Sequence, residues 1–244
     1  RDDHYKVPKL SVTDIIAKSS NVGTATLASK IGRNNQITML NDLGLFHPTE
    51  IELIEAKSIT PLRPKKWIDS STVTISYGYG LSISQLHLAV AYATLVNGGY
   101  KVTPTILKQN NKDLGRRIIS EGTSNHLREI LRSVVQRGTA TLGNVEGYEV
   151  GGKTGTANKQ KVGAKGYDND RVVSTFASFF PAKSPRYVLV VSFDEPSYRG
   201  GKEKSERSAG WTAVPVSAEI IKRIAPLLNL RPSFDSDQVV QIGR

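Results

Sequence analysis

The first part of the chain carries apolar residues at helical spacing, in short stretches separated by polar ones. Ser-Val-Thr-Asp at residues 11–14 resembles a capping box and predicts that a short helix begins there. Asn21-Val22-Gly23 is expected to interrupt this helix. Further helices are predicted at residues 24–31 and 35–43.

Two broader apolar stripes follow an irregular segment at residues 48–71, where two prolines occur without a sustained period. Residues 82–96 predict a helix that buries one face, formed by Leu86, Ala89, Val90, Ala93 and Val96. Residues 123–136 predict a second one, with the stripe Leu127, Ile130, Leu131, Val134 and Val135. Both stripes are wide enough to indicate core packing.

From residue 148 onward the period becomes that of strands. Strands are predicted at residues 148–157, 171–180 and 186–194, loops at 158–170 and 196–210, and a closing helix at 212–228. Helices followed by hairpin-like strands indicate an α+β fold with an antiparallel sheet. The expected organisation is a mainly helical lobe at 1–147, the sheet and closing helix at 148–230, and a tail at 231–244.

Composition limits the possible functions. The 244 residues include 33 Lys and Arg against 22 Asp and Glu, a net charge of +11. Such a charge fits either a polyanionic partner or a basic solvated surface. The lysines are scattered and no aromatic residues alternate with them, so no nucleic-acid partner is expected. The absence of cysteine excludes disulfides, thiolate catalysis and Cys-zinc sites within these residues.

Residues 147–154 satisfy the phosphate-loop pattern G-x-x-x-x-G-K-[ST], and Phe193-Asp194-Glu195 ends a strand as in an ATPase. That mechanism needs a buried strand before the loop and a helix that starts at the lysine. Neither context is evident in the sequence around Lys153. An ATPase is therefore kept as an alternative that the local sequence context does not favour.

Lys153-Thr154-Gly155 fits better on an edge strand that lines a cleft. Gly155 would let another backbone approach, while Thr154 and Lys153 offer a hydroxyl and a cation to a carboxylate. Ser19-Ser20-Asn21 lies about 130 residues earlier, between two short predicted helices. Each motif is weak alone, but together they match two of the three elements of the serine acyl-transferases that react with penicillin, S-x-x-K, S-x-N and K-T-G.

The chain from residue 1 to about 230 resembles class B penicillin-binding proteins, the septal type in particular. The blocks that carry the resemblance are Lys18-Ser19-Ser20-Asn21-Val22-Gly23, Ser76-Tyr77-Gly78-Tyr79-Gly80-Leu81, Asn97-Gly98-Gly99, Gly138-Thr139-Ala140 and Gly151-Gly152-Lys153-Thr154-Gly155-Thr156-Ala157. The resemblance implies a β-lactamase/transpeptidase-like fold, in which an all-helical lobe flanks the sheet. It also implies a D,D-transpeptidase that cross-links peptidoglycan stem peptides through a serine acyl-enzyme.

Site roles follow from the same resemblance. Ser19 would relay a proton, and Asn21 would hydrogen-bond the substrate amide. Lys153 would supply positive charge, and Thr154 would bind the terminal carboxylate beside Gly155. The Thr156 amide would form half of an oxyanion hole, and Tyr167 would flank the pocket. No cofactor or metal is implied. The implied partners are stem peptides, β-lactam antibiotics and cell-division or elongation membrane proteins. The implied location is the extracytoplasmic face of the bacterial inner membrane, with an anchor upstream of residue 1.

One element of the family is missing: no serine in the chain is followed by lysine at the third position. We therefore expect the nucleophile, its helix and the N-terminal strands to lie upstream, so that the isolated chain is not acylated by penicillin. Apolar faces such as that of residues 82–96 would then be partly exposed. The loop at 197–210 is also longer than the family's short link. A D,D-carboxypeptidase, a β-lactamase and a non-catalytic basic scaffold remain open as alternatives.

Overall fold

A computed structural model describes residues 9–110, 114–197 and 204–233. The chain divides into two compact units, Arg1–Leu131 and Arg132–Arg244. This boundary falls inside a helix, Glu121–Arg137, whereas the predicted lobes divide at residue 147.

Seven α-helices and three strands form the described part of the chain. The helices are α1 Val12–Ala17, α2 Asn21–Ile31, α3 Arg33–Asp42, α4 Asp69–Ser76, α5 Gln85–Val96, α6 Glu121–Arg137 and α7 Ala213–Leu227. Short 3-10 turns lie at Ile54–Ser58, Thr141–Gly143 and Lys204–Arg207. The strands are β1 Gly151–Gln160, β2 Tyr167–Phe180 and β3 Tyr187–Asp194.

The interruption predicted at Asn21-Val22-Gly23 is wrong, because α2 begins at Asn21. The buried Ser20 caps the helix, and its Oγ accepts a hydrogen bond from Gly23 N at 3.0 Å. Gly23 lies against α1: a Cβ there would approach Ile15 Cγ1 to 2.7 Å. The glycine therefore permits close packing of two helices and does not break one.

Helix α4 lies at the end of the segment predicted to be irregular. Its sequence is rich in Ser, Thr and Val, which are weak helix formers, so local propensity gave no signal. Tertiary contacts hold it instead. Thr72 is buried, its Oγ1 accepts from the Trp67 indole at 3.1 Å, and its carbonyl accepts from Gln36 Nε2 at 3.0 Å.

Helix α5 is present, and of its predicted stripe Val96 is buried whereas the other four positions are not. The buried residues are His87, Ala91, Thr94 and Val96, and Leu86, Ala89, Val90 and Ala93 are only half-buried. The helix is apolar on nearly every side, so hydrophobicity does not mark its inner face. The two buried polar residues are satisfied: His87 Nε2 pairs with His47 O at 2.9 Å, and Thr94 Oγ1 accepts from Val102 N at 3.1 Å.

In α6 the predicted stripe is confirmed at Leu131, Val134 and Val135, which are all buried. Leu127 and Ile130 of the same stripe are half-buried.

The strands form an antiparallel sheet of order β1-β2-β3, and α7 packs against β2 and β3. The predicted α+β fold is confirmed. The expected loop at 158–170 is mostly strand, since β1 continues to Gln160 and β2 begins at Tyr167, with an irregular register near Asn158. The sequence of this segment is polar and glycine-rich, so it lacks the apolar alternation by which strands are predicted. Charged residues stabilise this end of the sheet instead.

Those charges form a compact network across the three strands. Lys159 Nζ lies 2.8 Å from both Asp194 Oδ1 and Glu195 Oε1. Arg171 contacts the same Glu195 oxygen at 2.6 Å. Hydrogen bonds from Arg171 and then Lys159 lower the pKa of Glu195 to about 2.

Two adjacent glycines fix the start of β1. A Cβ at Gly151 would approach the Phe179 ring to 2.5 Å, and one at Gly152 would approach Ala177 O to 2.5 Å and the Phe176 ring to 2.9 Å. Phe176 and Phe179 are both fully buried. The strand can lie this close to the two rings only because neither residue has a side chain.

Beyond β3 the predicted loop contains the turn Lys204–Arg207, and residues 198–203 lie outside the described residues. The closing helix is confirmed as α7, with Pro215 in its first turn. Of the predicted tail, residues 234–244 also lie outside the described residues.

Candidate active site

The Ser19-Ser20-Asn21 motif forms a corner between α1 and α2 in the first unit. Ser19 has a φ of 57°, in the left-handed region that most side chains avoid. Ser20 turns inward to cap α2 and is 3% exposed, whereas Ser19 and Asn21 are exposed. The corner therefore presents the outer two residues of the motif and uses the middle one for structure.

Lys153, Thr154, Gly155 and Thr156 lie in the middle of β1 in the second unit. In the described part of the chain β1 pairs with β2 alone, so its other edge is open. Side chains alternate along a strand, which places Lys153 and Gly155 on one face and Thr154 and Thr156 on the other.

The register decides where the backbone groups of β1 point. Val172 O accepts from Glu195 N, so alternate residues of β2 from Val172 direct their backbone groups toward β3. Ser174 and Phe176 belong to this set, and their β1 partners are Thr156 and Thr154. The backbone N–H groups of Thr154 and Thr156 therefore point to the open edge, as the predicted oxyanion role of Thr156 requires.

Lys153 is half-buried, and its Nζ donates to Thr154 O at 3.0 Å. Burial disfavours the charged ammonium and lowers the pKa of Lys153 to about 8. At neutral pH the side chain therefore remains largely protonated. A partly desolvated cation attracts an anion more strongly than one in bulk water.

The Thr154 hydroxyl has a partner, Thr139, for which the sequence predicted no role in the site. Thr139 Oγ1 and Thr154 Oγ1 lie 2.6 Å apart, within hydrogen-bond distance. Thr139 follows α6 and is exposed. The sequence indicated this residue only through the block Gly138-Thr139-Ala140. The spacing between the two threonines did not predict that Thr139 contacts Thr154.

The segment before α7 lies against the same face of β1. Thr156 Oγ1 accepts a hydrogen bond from Ala209 N at 3.0 Å. Ser174 Oγ donates to Arg207 O, which ties the segment to β2 as well. A Cβ at Gly210 would come within 2.9 Å of Thr139 O. The end of the long loop therefore borders the candidate site.

The described residues around Gly155 do not themselves require a glycine. A Cβ there would meet only Thr175 O, at 3.9 Å, which is ordinary contact. Gly155 is exposed, so no neighbouring backbone within 4 Å requires the glycine. The space above it is open to a ligand.

Tyr167 is placed at the far end of the hairpin. It pairs with Gln160, whereas Thr154 pairs with Phe176. Gln160 lies six positions beyond Thr154 along β1, a distance of about 20 Å at the usual rise of a strand. Its role beside the pocket stays a prediction, and the hairpin does not bring it to Thr154.

The phosphate-loop interpretation fails on geometry. Lys153 lies within an antiparallel strand, opposite Ala177, and no helix begins there. Backbone amides at a helix N-terminus, which would hold phosphate, are therefore lacking at Lys153.

Among residues 9–110, 114–197 and 204–233, no cluster of three or more His, Cys, Asp or Glu could hold a metal ion. Across the same residues, no helix combines the length and hydropathy of a membrane span.

Known proteins are similar to this chain over nearly its whole length. Residues 1–218 match the family described as "Penicillin binding protein transpeptidase domain". The chain is 36% identical over 239 residues to the probable peptidoglycan D,D-transpeptidase FtsI of Caulobacter vibrioides. That alignment covers 94% of this chain but 40% of the relative, so the chain spans less than half of that protein's length. The probable D,D-transpeptidase PenA of Neisseria gonorrhoeae is 36% identical over 201 residues, covering 82% and 34% of the two chains.

Solved structures are similar as well. The transpeptidase domain of penicillin-binding protein 3 from Burkholderia pseudomallei superposes with a TM-score of 0.82 at 35% identity, covering 93% of this chain and 67% of that one. Penicillin-binding protein 3 from Mycobacterium tuberculosis, solved as a complex with ampicillin, gives a TM-score of 0.80 at 30% identity, covering 93% and 53%. The expected transpeptidase-like fold is thereby confirmed. On the family match and these likenesses together, the chain belongs to the penicillin-binding protein transpeptidase domain family.

Proposed function

We propose that the protein that contains this chain is a peptidoglycan D,D-transpeptidase acting through a serine acyl-enzyme. One observation carries the proposal: β1 directs the Thr156 amide to an open edge and holds Lys153 and Thr154 beside it. This arrangement suits a substrate that ends in a carboxylate and carries a reactive carbonyl one residue away. Relatives named as probable D,D-transpeptidases support the same activity.

The reaction proceeds in two steps. A serine Oγ attacks the penultimate D-Ala carbonyl of a stem peptide, the amide bond breaks, and terminal D-Ala leaves with a proton. An amine of a neighbouring strand then attacks the ester, forms the new amide and returns the proton to serine. No serine in these 244 residues has the S-x-x-K spacing, so the nucleophile is assigned to the remainder of the protein.

The residues of this chain bind and polarise the substrate. The Thr156 amide donates to the developing oxyanion, which is most valuable in a water-poor site. Lys153 and Thr154 hold the terminal carboxylate, and Gly155 leaves room for the peptide. Ser19 relays a proton to the leaving amine, and Asn21 hydrogen-bonds the substrate amide.

We further propose that the whole protein acts in septal wall synthesis and reacts with β-lactams. Its location would be the extracytoplasmic face of the inner membrane, anchored by an upstream segment and associated with cell-division or elongation membrane proteins. The septal character of the sequence blocks supports this assignment. The solved complex of a relative with ampicillin supports β-lactam binding.

The test uses the whole protein and a stem pentapeptide. Release of D-Ala, together with transfer of the acyl group to an added amine, would support a transpeptidase. Release without transfer would indicate a D,D-carboxypeptidase, and fast hydrolysis of penicillin would indicate a β-lactamase. Absence of labelling by fluorescent penicillin in correctly folded protein would contradict the proposal.

A further inference from the structure

A buried serine lies directly opposite Thr156 in the sheet. Ser174 of β2 is the register partner of Thr156 and is fully buried. The backbone groups of Ser174 point toward β3, so the two residues form a pair without hydrogen bonds between their own backbones. Residues paired in this way lie close together and project their side chains from the same face of the sheet. The hydroxyl groups of Thr156 and Ser174 are therefore on one face.

Both hydroxyl groups bind the same short segment of the chain. Ser174 Oγ donates to Arg207 O, and Thr156 Oγ1 accepts from Ala209 N at 3.0 Å. A single residue separates Arg207 from Ala209, and these three residues are called the 207–209 segment below. The two hydrogen bonds and the segment form a closed circuit that links the side chain of Ser174 to that of Thr156.

The 207–209 segment is anchored at both of its ends. The Arg207 guanidinium donates to Asp170 O of β2. Ala209 is fully buried, and its carbonyl accepts from Val214 N of α7 at 2.9 Å. A displacement of Arg207 O is therefore transmitted to Ala209 N, because the short segment between them is held on both sides.

The direction of the Thr156 amide depends on this circuit more than those of its neighbours do. Gly155 and Ala157 exchange backbone hydrogen bonds with β2, whereas the Thr156 N–H points to the open edge of the described sheet. No hydrogen bond of the ladder therefore directs this N–H. The hydroxyl of the same residue is a fixed point, because Ala209 N binds it. An oxyanion donor is effective only when its direction is set before the charge develops.

We propose that Ser174 is a positioning residue for the oxyanion donor. Through the 207–209 segment its hydroxyl holds the Thr156 side chain, and this contact sets the direction of the Thr156 amide. Ser174 acts through Thr156 and does not touch the substrate, because its hydroxyl is buried against Arg207 O. The inference deepens the proposed function and rests on it.

Ser178 provides a matched control on the same strand. It is fully buried as well, and its Oγ donates to a backbone carbonyl, Leu189 O, at 3.0 Å. Its register partner is Gly152, which precedes the part of β1 assigned to the substrate. Ser174→Ala and Ser178→Ala therefore remove the same group from similar surroundings. A purely structural role of Ser174 predicts the same result for both variants.

The test follows the reaction of the whole protein with fluorescent penicillin by stopped flow, at one temperature below the lowest melting point of the variants. Ser174→Ala is expected to lower the first-order acylation constant about tenfold, part of the roughly hundredfold loss that follows removal of an oxyanion donor. The dissociation constant of the noncovalent complex should change less than about twofold, because the oxyanion forms only in the transition state. Ser178→Ala should leave both constants at their wild-type values.

Equal acylation constants for the two alanine variants would overturn the inference, whether both react normally or both react slowly. A loss in Ser174→Ala that lies only in the dissociation constant would overturn it too. The double variant Ser174→Ala, Thr156→Val tests the route of the effect. It should react no more slowly than Thr156→Val alone, because that variant has already lost the hydroxyl through which Ser174 acts. Two losses that multiply would contradict this route.

A second pair of variants covers the case in which Ser174→Ala does not fold. Ser174→Cys and Ser178→Cys replace the hydroxyl by a weaker donor of similar shape. Slower acylation in Ser174→Cys alone would support the inference, and equal rates would overturn it. Wild-type protein that penicillin does not label would contradict the proposed function and this inference with it. Labelled wild type with equal alanine variants would contradict only the role of Ser174.

Discussion

The hydroxyl groups of Thr139 and Thr154 lie 2.6 Å apart, so a residue just beyond the C-terminal end of α6 contacts the threonine of the Lys-Thr-Gly strand. A hydroxyl is free to rotate, and a fixed partner sets the direction in which it donates. Thr139 therefore orients the Thr154 hydroxyl for the carboxylate that the proposed function assigns to it.

Replacing Thr139 by valine should slow β-lactam acylation of the whole protein by about fivefold, the effect of losing one hydrogen bond of about 1 kcal/mol. Thr139→Ser keeps the hydroxyl and should restore most of the rate. The measurement is the second-order rate of labelling by fluorescent penicillin. A valine variant as fast as the serine variant would show that Thr139 does not orient Thr154.

How far the sequence predicted the site can be judged from these two residues. The strand at Lys153-Thr154-Gly155 and its place in an antiparallel sheet were predicted, because alternation and composition are local properties. The contact with Thr139 was not, since it depends on how the end of α6 meets β1. Likewise, the inward face of α5 and the existence of α4 were determined by hydrogen bonds of His87 and Thr72 that no periodicity encodes.

The pH dependence of the acylation rate should follow the protonation of the Lys153 side chain. Its pKa of about 8 lies below the ordinary value because burial disfavours the ammonium. The cation is therefore present below pH 8 and lost above it, and carboxylate binding should weaken as the pH rises through 8. Lys153→Arg stays charged at these pH values, so it should remove the alkaline decline even if its absolute rate is lower. A wild-type rate that increases above pH 8 would contradict a role as cation and favour one as base.

Two glycines of β1 should respond in opposite ways to substitution by alanine. Gly152→Ala places a Cβ 2.5 Å from Ala177 O and should lower the free energy of unfolding by about 1–3 kcal/mol through overpacking. Gly155→Ala meets only Thr175 O at 3.9 Å and should change stability by less than about 0.5 kcal/mol. It should nevertheless slow acylation, because the methyl group fills space open to the substrate. Chemical denaturation and penicillin labelling of both variants check the contrast; a Gly155→Ala protein with a normal rate would place the substrate elsewhere.

The cap of α2 should matter for stability independently of chemistry. Ser20→Ala removes the acceptor for Gly23 N at 3.0 Å and should cost about 1 kcal/mol. Ser20→Thr, which retains an acceptor oxygen, is the control, although its added methyl must fit a buried position. Thermal melts of the variants provide the measurement. Equal stability of wild type and Ser20→Ala would indicate that water or another group replaces the cap.

The charge network at the end of the sheet should make the stability of the protein depend on pH in the acid range. Glu195 titrates near 2 in the folded protein, below its ordinary value of 4.5, because Arg171 and Lys159 favour its charged form. Its contribution is present above pH 4.5 and is lost as the pH falls toward 2. Glu195→Gln should reduce stability at neutral pH and flatten the loss between these two values. An unchanged acid profile in the variant would show that other carboxylates dominate.

The close approach of Gly151 and Gly152 to two buried aromatic rings has a consequence for motion as well as for packing. One ring packs against each side of the backbone immediately before Lys153. The strand is therefore held in place where the segment Lys153-Thr154-Gly155 begins. Thermal displacement of Lys153 and Thr154 is thereby restricted before any ligand arrives. Affinity at this edge is then not reduced by the entropy of ordering a loose segment.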